Sequence, residues 1–280
     1  MKRQLRTLGR ADRPRLRSAR DDAQSGRPLS DHVTTVMPLP WREQIAMLLP
    51  PSWFYRRRIA QEAAAGEPEL AVLDRLMRRG GTAVDIGANQ GFFAFALSRH
   101  ADRVVCFEPN PDYAAFARWM LRGRAEVHAL ALADRPGRET FYVPHSDEGL
   151  VLHLAGSLKR AHHQFKTIES YAVEVRTLDE FRLTDVTFIK IDVEGSERDV
   201  LDGARDTIAC ERPPLLLELL SGTHDDPGAL TAEICRDFGY DAFIVQRGEK
   251  IAAVPTIAAL GKNTSWGTEI ESRNVLFLAK

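Results

Sequence analysis

The sequence predicts an α/β fold, a mostly parallel sheet with helices on both faces. Two segments of one grammar and a regular alternation of strand and helix signals carry that prediction. Thr82 to Gly91, TAVDIGANQG, reads as an apolar strand (Ala83, Val84, Ile86) that enters a glycine turn and opens a helix at Gly91-Phe92-Phe93. Phe188 to Ala204, FIKIDVEGSERDVLDGA, repeats it, with Phe188, Ile189 and Ile191 as the strand, an acidic turn and then a helix. Strands that alternate with helices through right-handed crossovers pair in parallel.

The remaining elements follow in order. Residues 1–30 read as a disordered basic tail, because Lys2 to Pro28 is rich in arginine, poor in apolar side chains and broken by Gly9, Pro14, Gly26 and Pro28. Residues 31–80 read as a helical extension. Within it Trp41 to Leu49 and Phe54 to Arg79 are expected as helices, with Leu73, Leu76 and Met77 at helical spacing and Gly80-Gly81 as the stop. These helices are expected to pack against the sheet or roof its pocket, with the aromatic cluster Trp53, Phe54 and Tyr55 either packed or lining an acceptor site.

Residues 81–280 form the main domain, in which Arg103 to Phe107 is a second strand ending in Glu108 and a third strand runs out at Asp134. An insertion over about residues 138–176 has strand-like ends, Thr140 to Val143 and Ala172 to Val175. They flank a polar loop with His145, His153, His162 and His163, whose spacing fits no standard zinc pattern. Such a loop near strand ends is a natural acceptor lid. Ala229 to Phe238 is an amphipathic helix, Asp241 to Gln246 a strand and Asn274 to Ala279 the last strand.

The glycine spacing addresses the ligand. A dinucleotide turn wants G-x-G-x-x-G so that backbone amides close on a pyrophosphate. Here Asn89 stands where the middle glycine would be, and Asp85 lies two residues before Gly87. A carboxylate there repels pyrophosphate and suits an ammonium. S-adenosylmethionine (SAM) carries an ammonium and a sulfonium and no phosphate, so it is favoured over NAD. An NAD-linked oxidoreductase and a catalytically silent SAM-binding scaffold are the alternatives to a methyltransferase.

Together with FEPNP (Phe107 to Pro111), ALAD (Ala131 to Asp134), TLDEF (Thr177 to Phe181), PPLLLEL (Pro213 to Leu219) and RNVLFLAK (Arg273 to Lys280), these segments resemble the FkbM family of SAM-dependent methyltransferases from about Glu67 to the C-terminus. IDVEGSE after TLDEF is the specific part of that resemblance. It implies a seven-stranded Rossmann-like class I methyltransferase sheet with its last strand antiparallel. It also implies methyl transfer, usually to a hydroxyl oxygen of a sugar, glycolipid or natural product. The chain departs from the family at Leu219 and Leu220, where members often carry a histidine; His224 is the nearest.

For the cofactor, Asp85 is the candidate partner of the methionine ammonium, Gly87, Asn89 and Gly91 form the turn, and Glu108 faces the ribose. Asp134 is a candidate acceptor for the adenine amino group, or else the start of the turn Asp134-Arg135-Pro136-Gly137. For catalysis Asp192 is the first candidate base, with Glu218 on the neighbouring strand and Glu194 on the intervening turn. Acids paired at adjacent strand ends are also candidate ligands for Mg²⁺. The plain alternative makes Asp192 a cap for the helix starting near Ser196.

Composition agrees with one enzyme domain. The 280 residues are 44% hydrophobic, enough for a full core, and a formal net charge of −1 gives no pull toward nucleic acid. Cys106, Cys210 and Cys235 suit neither a disulfide framework nor a zinc site, which favours a reducing, cytoplasmic setting. No stretch has the roughly 18 apolar residues of a membrane span. A small-molecule or glycan acceptor is the expected partner.

Overall fold

The computed structural model describes residues 48–145, 158, 167–220, 224, 226–246, 249–260 and 270–280. The expected basic tail, the helix over Trp41 to Met47, and His153, His162 and His163 lie outside the described residues.

The first elements are α1 (Pro51–Ala65), a 3-10 turn (Pro68–Ala71) and α2 (Leu73–Leu76). The single helix expected over Phe54 to Arg79 is thus broken. Gly66 takes φ 134°, and Pro68, which has no amide hydrogen to give a helix, begins a new turn. Next come β1 (Thr82–Ile86), α3 (Phe92–Leu97), β2 (Arg103–Phe107), α4 (Pro111–Met120) and β3 (Glu126–His128). Asn110 caps α4 by accepting from the backbone amides of Asp112 and Tyr113.

The chain then leaves the main sheet. Ala131–Leu132 (β4), Gly137–His145 (β5) and Thr167–Arg176 (β6) form a separate three-stranded sheet in the order β4-β6-β5. The insertion is therefore an antiparallel hairpin longer than its predicted ends, and its inner face buries Phe141, Val143, Val173 and Val175 against Ala131 and Ala133. The strand expected to run to Asp134 is split, with only Glu126–His128 paired to β2.

The rest comprises β7 (Val186–Ile191), α5 (Glu197–Asp202), α6 (Arg205–Glu211), β8 (Leu215–Glu218), α7 (Pro227–Phe238), β9 (Tyr240–Gln246), β10 (Glu249–Ala252), α8 (Ala253–Leu260) and β11 (Asn274–Ala279). The main sheet has eight strands in the order β10-β9-β11-β8-β7-β1-β2-β3. Strands β3, β2, β1, β7 and β8 are parallel neighbours, whereas β11 runs antiparallel to both β8 and β9. This is the Rossmann-like arrangement with an antiparallel final strand. The eighth strand, β10, is an exposed edge hairpin partner of β9 beyond the seven expected.

Alternation along the strands sorts the core onto two faces. Val84, Ile86, Ile189, Ile191, Leu215 and Leu217 pack with α5, α6 and α7. Ala83, Phe188 and Leu216 pack on the other face with α1, α3 and α4. The polar residues continuing this second face, Asp85, Lys190, Asp192 and Glu218, gather at the C-terminal strand ends beside α1. Among the described residues no helix is long and apolar enough to cross a membrane.

Candidate functional site

Two cavities open at these strand ends and share Gly87, Asn89, Asp192 and Glu194. They meet where the turn after β1 faces the turn after β7, the switch point at which open α/β sheets bind ligands. One has the apolar walls Ile86, Phe107, Leu130, Leu132, Phe141 and Leu158 and, besides the shared Asp192 and Glu194, the acid Glu108. The other is charged, with Asp85, Lys190, Asp192 and Glu218 from the sheet, Arg58, Glu62 and Glu67 from the N-terminal segment, and Arg273 before β11.

The turn after β1 is built by backbone chemistry. Asn89 takes φ 50°, the left-handed conformation that the missing glycine would have supplied and that Asn tolerates well. Its side-chain Oδ1 accepts from the Gln90 amide at 2.7 Å, and its own amide donates to Glu108 Oε2 at 2.6 Å. Glu108 Oε1 accepts from the Asn110 amide at 2.8 Å. Glu108 is thus buried and ties the turn to the cap of α4. Burial pushes its carboxyl up to about 7, against the two amides that favour the charged form.

Expected to let the chain approach a ligand, the two glycines are also required by protein contacts. A β-carbon on Gly87 would meet the Asp192 carbonyl oxygen, and one on Gly91 would meet Leu121 and the Tyr55 hydroxyl. Tyr55 is fully buried, stacks on Phe95 and donates to the Gln90 carbonyl at 2.8 Å, so α1 buttresses the turn. Phe54 packs edge-on against Phe116, while Trp53 is exposed; none of the three lines either cavity.

Asp85 is 1% exposed, accepts from the Ala94 backbone, and its Oδ2 has no partner. Burial raises its carboxyl to about 7, with Lys190 opposing. An orphaned buried oxygen lining a cavity is a place for a cationic ligand group. The set fits SAM: a buried carboxyl with one unpartnered oxygen for an ammonium, an adjoining cavity with apolar walls and Glu108, and a turn whose amides from Gly87 to Gly91 are all bonded within the protein and not open to a pyrophosphate.

Asp192 and Glu218 do come together, on the wall of the charged cavity. Burial would raise Asp192, but the Lys190 ammonium, 3.2 Å from its Oδ2, holds it below the ordinary carboxylate range. Burial and then Asp192 push Glu218 well above that range. Glu194, at φ 53° on the turn, is raised to about 8 by burial and by the nearby Asp192 and Glu197. The Mg²⁺ reading finds no support: among the described residues no three His, Cys, Asp or Glu side chains are grouped to hold a metal. The helix after this turn, α5, starts at Glu197 with Ser196 at its cap position, and the Ser196 side chain makes no capping bond.

Asp134 stands apart. It is exposed, pairs with Arg135 at 3.3 Å and is not among the residues lining either cavity, because the chain has already turned away into the second sheet. His224 is also elsewhere engaged, with Nε2 2.9 Å from Oε2 of the fully buried Glu197, which itself accepts from the Val193 and Gly195 amides.

Sequence reasoning missed Lys190, Glu67 and Arg273. Arg273 reaches Glu67 at 3.0 Å, Glu62 at 3.3 Å and Glu218 at 3.7 Å, joining the N-terminal segment to the site. A lysine between Ile189 and Ile191 in an otherwise apolar run was the available signal for the first; chain positions so far apart gave none for the others.

Residues 85–242 match the family model described as the methyltransferase FkbM domain. The 2-O-methyltransferase NoeI of Sinorhizobium fredii is 30% identical over 144 residues, covering 46% of this chain and 59% of that protein, so the match spans less than two thirds of the relative. A crystal structure of methyltransferase FkbM from Methylobacillus flagellatus aligns over 76% of this chain and 48% of its own, at 20% identity and a TM-score of 0.49. A methyltransferase structure from Geobacter sulfurreducens aligns over 88% of this chain and 99% of its own, at 13% identity and a TM-score of 0.42.

Proposed function

The chain belongs to the FkbM family of methyltransferases, and from that premise we propose that it transfers a methyl group from SAM to a hydroxyl oxygen of a sugar, glycolipid or natural product. The observation that carries the cofactor half is the unpartnered Oδ2 of Asp85 in a cavity that adjoins the one bearing Glu108 and its apolar walls. The hydroxyl half is supported by the 30% identical relative, which is a 2-O-methyltransferase. Family membership leaves no ground for the NAD-linked alternative.

When bound, SAM supplies a methyl group already activated on a positive sulfur. Asp85 would hold its ammonium and Glu108 its ribose hydroxyls, while Leu130, Leu132, Phe141 and Leu158 offer apolar walls to the nucleoside. What this chain must add is alignment, exclusion of water and removal of the hydroxyl proton. Asp192, ionised and only part-buried with its side chain 27% exposed at the junction of the two cavities, is the base that takes that proton. Glu218 stands beside Asp192 in the second cavity, and Glu194 borders both cavities. The charged rim of the second cavity suits a hydroxyl-rich acceptor, whose groups both donate and accept.

Calorimetric titration with SAM, NAD and NADP tests the cofactor, with binding of SAM alone expected. Transfer of label from methyl-labelled SAM into an extract of glycans, glycolipids and small metabolites tests the reaction. Label on an oxygen is the expected result; label confined to nitrogen, or none despite SAM binding, would overturn it.

A further inference from the structure

The reading above needs Asp192 to be the charged member of a pair of acids, and the reason for that charge lies in a residue the mechanism has not used. Lys190 sits in the middle of the sheet, register partner of Asp85 on β1 and of Leu216 on β8. It is 2% exposed, its Nζ lies 3.2 Å from Asp192 Oδ2, and it stands 5.5 Å over the Phe93 ring. Four acids surround it: Asp192, Glu67, Glu218 and Asp85. Burial alone favours a neutral amine, but their combined field keeps Lys190 charged.

Asp192 and Glu218 line one cavity together, and neighbouring carboxylates disfavour double ionisation, so one proton stays between them. The nearby cations decide where it rests. Lys190 is buried and lies nearest Asp192, with its ammonium 3.2 Å from Oδ2, while its field also reaches Glu218. Arg273 is the cation nearest Glu218, at 3.7 Å, yet it is closer to Glu67 and Glu62 and partly open to solvent, so its charge is divided.

We propose that Lys190 is a positioning residue that makes Asp192 the anion and Glu218 the acid of this pair, so that the base at the cavity is chosen by a cation placed beside it. This deepens the O-methylation reading and rests on it only for the use to which the base is put.

Carbon-13 carboxyl NMR of the full chain tests it, with the two signals assigned through Asp192→Asn and Glu218→Gln. At neutral pH the Asp192 carboxyl is expected at the ionised position and the Glu218 carboxyl at the protonated one. In Lys190→Met, which keeps length and loses charge, the Asp192 signal should move toward the protonated position. A proton on Asp192 in the wild type, or a Lys190→Met spectrum with both signals unmoved, overturns the proposal. Should Lys190→Met fail to fold, the nitrogen-15 signal of Lys190 in the wild type decides: an ammonium supports the proposal and a neutral amine overturns it. None of these measurements uses an acceptor, so failure of the O-methylation reading would appear separately, as absent label transfer with the proton still on Glu218.

Discussion

The backbone of Gly87 lies so close to the carbonyl of Asp192 that a β-carbon there would stand 1.7 Å from the oxygen. The contact closes the turn after β1 onto the acidic end of β7, next to the bond from the Asp192 amide to the Ile86 carbonyl at 2.9 Å. Gly87 also holds φ 79°, which an L side chain resists. Gly87→Ala should therefore push the two strand ends apart, costing about 2–4 kcal/mol in stability from overpacking and backbone strain. SAM affinity should fall roughly tenfold or more, since each factor of ten is only about 1.4 kcal/mol. Denaturant unfolding and calorimetry check both, and a variant that keeps both would mean the contact yields without consequence.

Glu108 is a buried anchor with two backbone amides on it, so its replacement should damage more than ligand binding. Glu108→Ala leaves the Asn89 and Asn110 amides without their acceptor. The expected loss is about 1–3 kcal/mol of stability together with a comparable loss in SAM binding. Thermal unfolding with and without SAM separates the two. Weaker binding at unchanged stability would show that water replaces the carboxylate on both amides.

The raised carboxyls make cofactor binding and stability depend on pH in opposite senses. Asp85 and Glu108 ionise near 7 in the folded protein without ligand, well above their unfolded values. The folded state thus binds more protons than the unfolded state between about pH 4 and 7, and stability falls as pH rises through that window. SAM carries a net positive charge and favours the ionised acids, so its affinity should rise from pH 6 to 8 with release of protons. Calorimetry in buffers of different ionisation enthalpy would detect that release. Affinity that is flat across this range would mean that neither acid faces the cation.

What was legible in the sequence was local. TAVDIGANQG and FIKIDVEG announce strand, turn and helix within ten residues, and the acids at 85, 108, 192 and 218 do line the cavities. The failures were tertiary. Asp134 has the same strand-end look as Glu108, but whether a strand stays in the main sheet depends on pairing with a hairpin that closes more than thirty residues later, where Ala131 meets Val175. The burial of Glu108 depends on Asn89 folding back from the neighbouring strand end. Lys190 is a single charge whose partners come from β1, β8 and the N-terminal segment, so no window of sequence contains its reason. Arg273 and Glu67 belong together only because the last strand returns beside the first helices.

The asymmetry within the acid pair yields the most discriminating kinetic prediction. Asparagine at 192 cannot take a proton from the acceptor and leaves Lys190 without its nearest anion, so Asp192→Asn should retain SAM affinity yet lose roughly a hundredfold or more in turnover, the scale of a missing general base. Glutamine at 218 imitates the protonated acid, a neutral group of the same size beside Asp192, so Glu218→Gln should lose less than about tenfold, the scale of one altered hydrogen bond. Chelator should leave the wild type unaffected if no cation joins the pair. Equal, large losses in both variants, reversed in the wild type by Mg²⁺ after chelation, would instead make the two acids a cation site. A larger loss at 218 than at 192 would exchange their roles, and full turnover by Asp192→Asn on the true acceptor would remove Asp192 from the chemistry altogether.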